Sequence, residues 1–431
     1  MKTRQEGNLT RLDNDKKLAT PDSQKKSRFP GGRFGWSVLG FATVNVVILA
    51  AVVFSNTNFP GGAIEQDVLS DNLKQSPSYG TWSWLAAHAY FKEPKAPDVV
   101  MMGSSLVNSA CWASDAVGTK TTIDCTEHHH VVTLEKMLQQ RLGGDRPSVL
   151  NVSIQGAGAC DYYMMTRAMM EGARKPKILV LGIAPRDFID NKMSNLGGTE
   201  PFMFFERYVK FDDAVARAYS NPIEIVMGEI EWKMLHMPLR RFHSVVASHF
   251  MDDSTIEKPR KDAGDQLRSA LSTSALRIFP GDIVVPGTPR EGCFDNTNEY
   301  ESRYKNPHPQ HFKTQLFFFE EMLKRMREQN VQVFIVDMPT LMRNRAMLPL
   351  SFWVDYTTKM NEICTRQKAQ YLFLSASEDY SRKDFVDTVH VNFRGGAKVL
   401  NRIADEIARR PQLASALQDQ MISAKKTPPT N

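Results

Sequence analysis

Cysteine is scarce. The 431 residues hold five, Cys111, Cys125, Cys160, Cys293 and Cys364, and no C-x-x-C pair occurs among them. That argues against a cysteine-built zinc site, which draws on closely spaced thiolates. The odd number leaves at least one thiol free. Cys111 and Cys125 are the nearest pair in sequence and could staple the loop after the first core helix in an oxidising compartment; the sequence leaves the pairing open. An excess of one charge is also lacking. A formal net charge of +6 is small for this length, and no basic stripe is interleaved with aromatics, so nucleic acid is not an expected partner. No internal repeat or heptad array is present. Long apolar runs are missing except at residues 36–54. Val331 to Val336 and Ile178 to Leu181 are far too short to cross a bilayer.

What is there begins with a basic tail. Residues 1–35 carry Lys16, Lys17, Lys25, Lys26, Arg28 and Arg33 with almost no apolar periodicity, and are expected to be disordered. Residues 36–54, Trp36 to Phe54, contain no formal charge, and about 20 apolar residues suffice to span a membrane. The tail in front is too long for a signal peptide. The expectation is therefore an uncleaved anchor with the basic tail in the cytoplasm and everything beyond it outside. Residues 55–95 read as a linker, rich in Asn, Gly, Pro and Ser, followed by an aromatic helix at Thr81 to Tyr90. The tryptophans of that helix, Trp82 and Trp84, suit either the membrane interface or packing on the domain.

From residue 96 apolar runs alternate with amphipathic stretches. The strand candidates are Val99–Met102, Ser148–Val152, Ile178–Leu181, Val331–Val336 and Tyr371–Leu374. Helical patterns cover Leu106–Ala116, Leu134–Arg141, Tyr162–Ala173, Gln310–Glu328, Val354–Arg366 and Gly396–Arg409. Continuous apolar strands between helices predict an α/β, three-layer α/β/α domain on a five-stranded parallel sheet. Residues 96–187 and 307–412 form its two parts. Residues 188–306 are too long for a plain connection and are read as a mostly helical insertion capping or lining the site face. Helical stretches are expected there at Phe211–Tyr219 and Pro222–Leu235, a polar segment at Asp252–Gln266 and turns from Pro280 to Asn298. Residues 413–431 are read as a tail.

Two stretches carry chemistry. Val99 to Met102 ends in Gly103-Ser104-Ser105-Leu106, a strand-to-helix turn that holds a serine beside free helix N–H groups. Far downstream, Asp387-Thr388-Val389-His390 sets an Asp three residues before a His, so that one loop can orient the imidazole. That His can then take the proton of a serine brought close by the fold. Ser105 is the expected nucleophile, with Ser104 the runner-up; His390 is the base and Asp387 its orienting acid. Other candidates stay open. Arg186 either binds an anionic group of a substrate or pairs with Asp187. Asn392 and Arg394 either face substrate or cap the last helix. Asp337-Met338-Pro339 either borders the cleft or forms a turn. His128-His129-His130 alternate in direction and have no carboxylate or cysteine at ligand spacing, so no metal is expected. Phe317 to Phe319 and Met164, Met165, Met169 and Met170 read as helix core, and no cofactor is expected.

The early G-x-S-L and late D-x-x-H, in this order, resemble the SGNH (GDSL-type) hydrolase superfamily. Asn151-Val152-Ser153-Ile154-Gln155-Gly156-Ala157 is similar to its second block, and Leu179 to Gly182 with Ile183 to Asp187 lies where its third block belongs. The resemblance implies a flavodoxin-like five-stranded sheet and an oxyanion hole built from the Ser105 and Gly156 N–H groups. It also exposes a departure: Ala184 stands where the third block carries Asn. With the N-terminal anchor, the chain resembles the membrane-tethered subset that includes the D-alanyl-lipoteichoic acid transfer protein and proteins of alginate O-acetylation. That subset implies acyl transfer or ester hydrolysis on an exported polysaccharide through an acyl-serine. It implies an acyl donor, a glycan acceptor and a membrane-bound O-acyltransferase as partners. A plain anchored esterase or lipase, and a degenerate SGNH-fold scaffold, are the other readings.

Overall fold

The computed structural model describes residues 63–70, 78–193, 195–219, 221–236, 294–305 and 309–424. The expected membrane span at 36–54, its basic tail, Cys293, the polar segment 252–266 and residues 425–431 lie outside them. Among the described residues no helix is long and apolar enough to cross a membrane.

Five strands form one sheet: β1 (Val99–Gly103), β2 (Val149–Asn151), β3 (Ile178–Ile183), β4 (Gln332–Asp337) and β5 (Gln370–Phe373). Their order is β2-β1-β3-β4-β5, and every pair is parallel. The apolar runs explain this. β1 and β3 are buried at every position, as strands covered on both faces must be, whereas β5 at the edge keeps Phe373 partly exposed. In chain order the helices are α1 (Ala63–Leu69), α2 (Trp82–Lys92), α3 (Ser105–Thr119), α4 (Val132–Leu142), α5 (Ala159–Met169), α6 (Arg186–Ile189), α7 (Glu200–Glu206), α8 (Asp213–Ala216), α9 (Pro222–His236), α10 (Thr297–Tyr304), α11 (Pro309–Glu328), α12 (Met342–Arg345), α13 (Leu350–Gln367), α14 (Phe393–Arg409) and α15 (Pro411–Ala424). α14 packs on α3 and α4 in one helical layer, and α11 packs on α5 and α13 in the other. The α/β class and the five parallel strands expected from the sequence are therefore present.

Helix α14 shows how sequence sets the layer. Val399, Leu400, Ile403, Ala404 and Ile407 recur at helical spacing and are buried, while Lys398, Asn401, Arg402 and Asp405 face out. Its first turn is closed by Asn392, whose Oδ1 accepts from the N–H groups of Arg394 at 2.9 Å and Gly395 at 3.3 Å.

The sheet reverses its winding between β1 and β3, the position where open α/β sheets leave a crevice at their carboxyl ends. Gly103 and Gly182 sit side by side there in the β1–β3 register. A Cβ on Gly182 would lie 2.2 Å from Val107 Cγ2, and one on Gly103 would lie 2.5 Å from the same methyl. The missing side chains let the first turn of α3 settle directly on the strand ends. That contact sets the height of Ser105 above the sheet.

Several expectations need correction. The linker 55–95 contains α1, whose Ile64 and Val68 are buried in the core, as are Trp82 and Trp84 of α2. These tryptophans pack on the domain. The tail 413–431 begins inside α15, where Leu413 is fully buried. Cys111 and Cys125 are not bonded to each other; both are free and buried, each serving as a small apolar side chain. Burial pushes both thiols up, Cys125 to about 12, so neither is a ready nucleophile. α5 ends at Met169, short of Ala173, and in the insertion only Asp213–Ala216 of the stretch 211–219 is helical.

Asp337 does not border the cleft. It ends β4 with no exposed surface, and its Oδ2 accepts from Tyr371 and Ser375 hydroxyls, both at 3.3 Å. Oδ1 has no partner. Burial pushes its carboxyl up to about 8, only partly opposed by those bonds. The folded pKa thus lies above the unfolded value near 3.9. The neutral group's contribution to stability is complete below that unfolded value and is lost as pH rises through about 8. Asp337→Asn, which mimics the neutral acid, is expected to be more stable relative to wild type at pH 9 than at pH 5, by roughly 4 kcal/mol. Denaturant unfolding at the two pH values checks this; equal differences at both would show an ionised Asp337.

Candidate active site

Ser105 opens α3 and His390 sits in the loop before α14. The hydroxyl and the imidazole are 285 positions apart in the chain, yet Ser105 Oγ lies 2.8 Å from His390 Nε2. On the other side of the ring, His390 Nδ1 is 2.6 Å from Asp387 Oδ2. Asp387 Oδ1 accepts from the backbone N–H groups of Val389 at 2.8 Å and His390 at 2.7 Å. Burial works against the Asp387 charge, but His390 and those two N–H groups outweigh it and hold the carboxyl below its usual range. Of the two adjacent serines, it is Ser105 that bonds His390. Ser104 is buried as the cap position of α3.

The loop that carries Asp387 and His390 is fixed from several directions. Val386 N–H donates to His390 O at 2.8 Å, and Leu341 N–H to Thr388 O at 3.0 Å. Thr388 N–H donates to Asn296 Oδ1 at 3.0 Å, and its hydroxyl bonds the same oxygen. Asn392 belongs to this scaffold. Besides capping α14, its Nδ2 donates to Lys383 O at 2.8 Å and to Phe385 O at 3.4 Å. Its polar atoms are spent on the chain, which removes it as a substrate contact. Arg394 is exposed and lies over Phe393.

After β2 the chain turns sharply. Ile154 N–H donates to Gly103 O at 2.9 Å, and Ala157 N–H closes a turn onto Ile154 O at 3.2 Å. Gly156 is the third residue of that turn with φ +80, a conformation that favours glycine. Asn108 ties the same loop to α3: it receives Asn151 Nδ2 at 2.7 Å and donates to Ser153 O at 3.1 Å. The N–H groups of Ser105 and Gly156 have no acceptor among the described residues.

Arg186 meets that turn from the far side. Its Nη2 donates to Gly156 O at 2.7 Å and its Nη1 to Ala157 O at 2.9 Å. Its Nε donates to Asp190 Oδ2 at 3.0 Å, and Asp187 Oδ1 is 3.5 Å away without a hydrogen bond. Burial works against the guanidinium charge; Asp187 and Asp190 outweigh it and hold the Arg186 pKa above its usual value. Asp187 itself is pushed up to about 7 by burial. Nε, Nη1 and Nη2 of Arg186 each donate to the protein, and the side chain also borders the cavity described next.

Ser105, His390 and Gly156 open onto a cavity of about 370 Å³. Ala184 is also on its wall, so the third-block position presents a methyl group. The far wall comes from the end of the insertion: Phe294, Asn296, Glu299, Tyr300, Arg303 and Tyr304. Sequence reasoning placed turns here and missed α10. Its signal was present, since Glu299 with Arg303 and Tyr300 with Tyr304 both recur at the i, i+4 spacing of one helix face. The three consecutive histidines lie elsewhere. His128 bonds Asp115 at 2.8 Å, His129 bonds the carbonyls of Asn151 and Thr126, and His130 lies between Glu93 and Glu135. No protein-family model matches the sequence, and no curated protein matches it.

Proposed function

We propose that the protein is a serine-dependent acyltransferase or esterase of SGNH type, working through an acyl-Ser105 intermediate. One observation carries the reading: a hydroxyl, an imidazole and an ionised carboxylate stand in line at 2.8 Å and 2.6 Å, at the mouth of a cavity at the sheet's switch point. In the reaction Ser105 Oγ attacks an acyl carbonyl while His390 Nε2 accepts the hydroxyl proton. The carbonyl oxygen, now negative, is held by the Ser105 and Gly156 N–H groups. Collapse breaks the ester bond, and His390 returns its proton to the departing alcohol. An acceptor hydroxyl or water then gives its proton to His390 and attacks the acyl-serine; collapse breaks the acyl–Oγ bond, and His390 returns that proton to Ser105 Oγ. Ala184 leaves one oxyanion donor fewer than the family arrangement, a difference worth about 3 kcal/mol in the barrier.

The uncharged stretch at 36–54 behind a basic tail supports an extracytoplasmic domain held by a single span, and so an acceptor outside the membrane. A cell-surface glycan receiving an acyl group, with a membrane-bound O-acyltransferase as the supplier, is the reading drawn from the resemblance. Reaction of the full-length protein with a fluorophosphonate probe tests the core of the proposal. The expected result is a single adduct on the peptide containing Ser105. An adduct elsewhere, or none, would favour a binding protein on a degenerate frame.

A further inference from the structure

The oxyanion turn has a carbonyl side, and that side is occupied by an ion network reaching into the insertion. Gly156 needs its φ of +80 for the turn, and its carbonyl and that of Ala157 are both taken by one guanidinium. A planar fork with two parallel donors is the group suited to hold two neighbouring carbonyls at once. The guanidinium is in turn anchored by Asp190, whose side chain is 1% exposed. Arg303 of α10 donates to the same Asp190 Oδ2 at 2.5 Å and also bonds Glu299 at 2.7 Å. The chain next to this carboxylate is tied to α10 as well: Asn191 N–H donates to Arg303 O at 2.9 Å, and Asn191 Nδ2 to Lys305 O at 2.6 Å.

We infer that Arg186 is a positioning residue that holds the Gly156 N–H on the oxyanion, and that the insertion, through Arg303 and Asp190, completes this clamp. The inference rests on the acyl-serine reading. It assigns the insertion a part in catalysis besides forming a wall of the cavity. With Ala184 in place of a side-chain donor, the hole depends on two backbone N–H groups, so the orientation of the Gln155–Gly156 peptide carries a large share of its strength. An untethered turn can rotate that peptide without disturbing Ser105, His390 or Asp387, because none of the three bonds to it.

The test uses full-length protein and a chromogenic acetyl ester. Wild type must turn over the ester with Ser105→Ala inactive; equal rates for the two would end the acyl-serine reading and this inference with it. Given that activity, Arg186→Met is expected to lower kcat about 10- to 50-fold with KM within about twofold, a fraction of the loss seen when an oxyanion donor is deleted outright. The pH midpoint of kcat/KM should stay in place, since the imidazole and its carboxylate are untouched. Arg186→Lys, able to reach a carbonyl but not to fork across two, should recover part of the loss. Arg303→Met should show the same kind of change at about 3- to 10-fold, because Asp190 keeps one of its two partners. A folded Arg186→Met with wild-type kcat overturns the inference. If Arg186→Met does not fold, Arg303→Met decides: a lowered melting temperature with unchanged kcat would make the network purely structural and overturn it too.

Discussion

Asp387→Asn is expected to slow the acylation of Ser105 by about 10³- to 10⁴-fold while leaving the protein folded. The carboxylate does two separable things. Oδ1 accepts the N–H groups of Val389 and His390, and the amide oxygen of Asn can keep both bonds. Oδ2 accepts from His390 Nδ1 at 2.6 Å, and there the substitution places an NH2 group. Two donors cannot share that bond, so the imidazole is driven to the tautomer with Nδ1 bare and Nε2 protonated. That tautomer presents a proton to Ser105 Oγ where an acceptor is needed. The rate of fluorophosphonate labelling measures the loss directly, because it reports nucleophile activation before any leaving group or acceptor matters. A rate within about tenfold of wild type would mean that His390 does not act as the base.

The direction of the Asp387 shift adds a pH statement. Its folded pKa lies below the ordinary carboxylate value, so its contribution to stability is present above the unfolded pKa and is lost as pH falls through the folded one. Across neutral pH the Asp387 carboxylate therefore stays ionised in wild type, and the acid limb of the labelling rate should not belong to it. In Asp387→Asn that stabilising ion is gone, and the urea midpoint should fall less steeply from pH 5 to pH 3 than in wild type.

The parts of this site that were legible in the sequence are those fixed by local spacing. An Asp and a His three residues apart share a loop whatever the rest of the chain does. Gly103-Ser104-Ser105 after four apolar residues marks a strand end for the same reason. That Ser105 and His390 would meet follows from the order β2-β1-β3-β4-β5, which no spacing dictates; there the family resemblance supplied what the pattern did not. Asn392 was ambiguous because a cap and a substrate contact use the same amide atoms, and only the positions of Lys383 O and Phe385 O decide between them. Arg186 was ambiguous for a similar reason, since a guanidinium pairs as readily with a carbonyl turn 30 residues upstream as with a ligand. α1 escaped notice because seven residues carry too little periodicity, and α10 because its apolar face is two tyrosines. Both are helical through packing, which composition does not record.

Gly396→Ala is expected to destabilise the protein by about 1–3 kcal/mol and to slow Ser105 labelling on the order of 100-fold. Helix propensity alone argues the reverse, since Ala in a helix interior is favoured over Gly by roughly 1 kcal/mol. The interface decides the sign. Gly396 lies in the first turn of α14 where it crosses α3, and a Cβ there would stand 2.6 Å from Ala110 O and 2.7 Å from Ser114 Oγ. The oxygen is backbone. The hydroxyl is no freer, because Ser114 Oγ already donates to Ala110 O at 2.7 Å. Neither neighbour can turn aside, so relief requires the two helices to separate. They are the helices that matter most for the chemistry: Ser105 begins α3, and His390 stands three residues before the start of α14. A shift of about 1 Å would stretch the 2.8 Å contact of Ser105 Oγ and His390 Nε2 past hydrogen-bond range. Urea unfolding and the labelling rate, measured on the same preparation below the unfolding transition, separate the two effects. A Gly396→Ala protein that is more stable than wild type and labels at the wild-type rate would show that α3 and α14 do not jointly set the distance on which Ser105 depends.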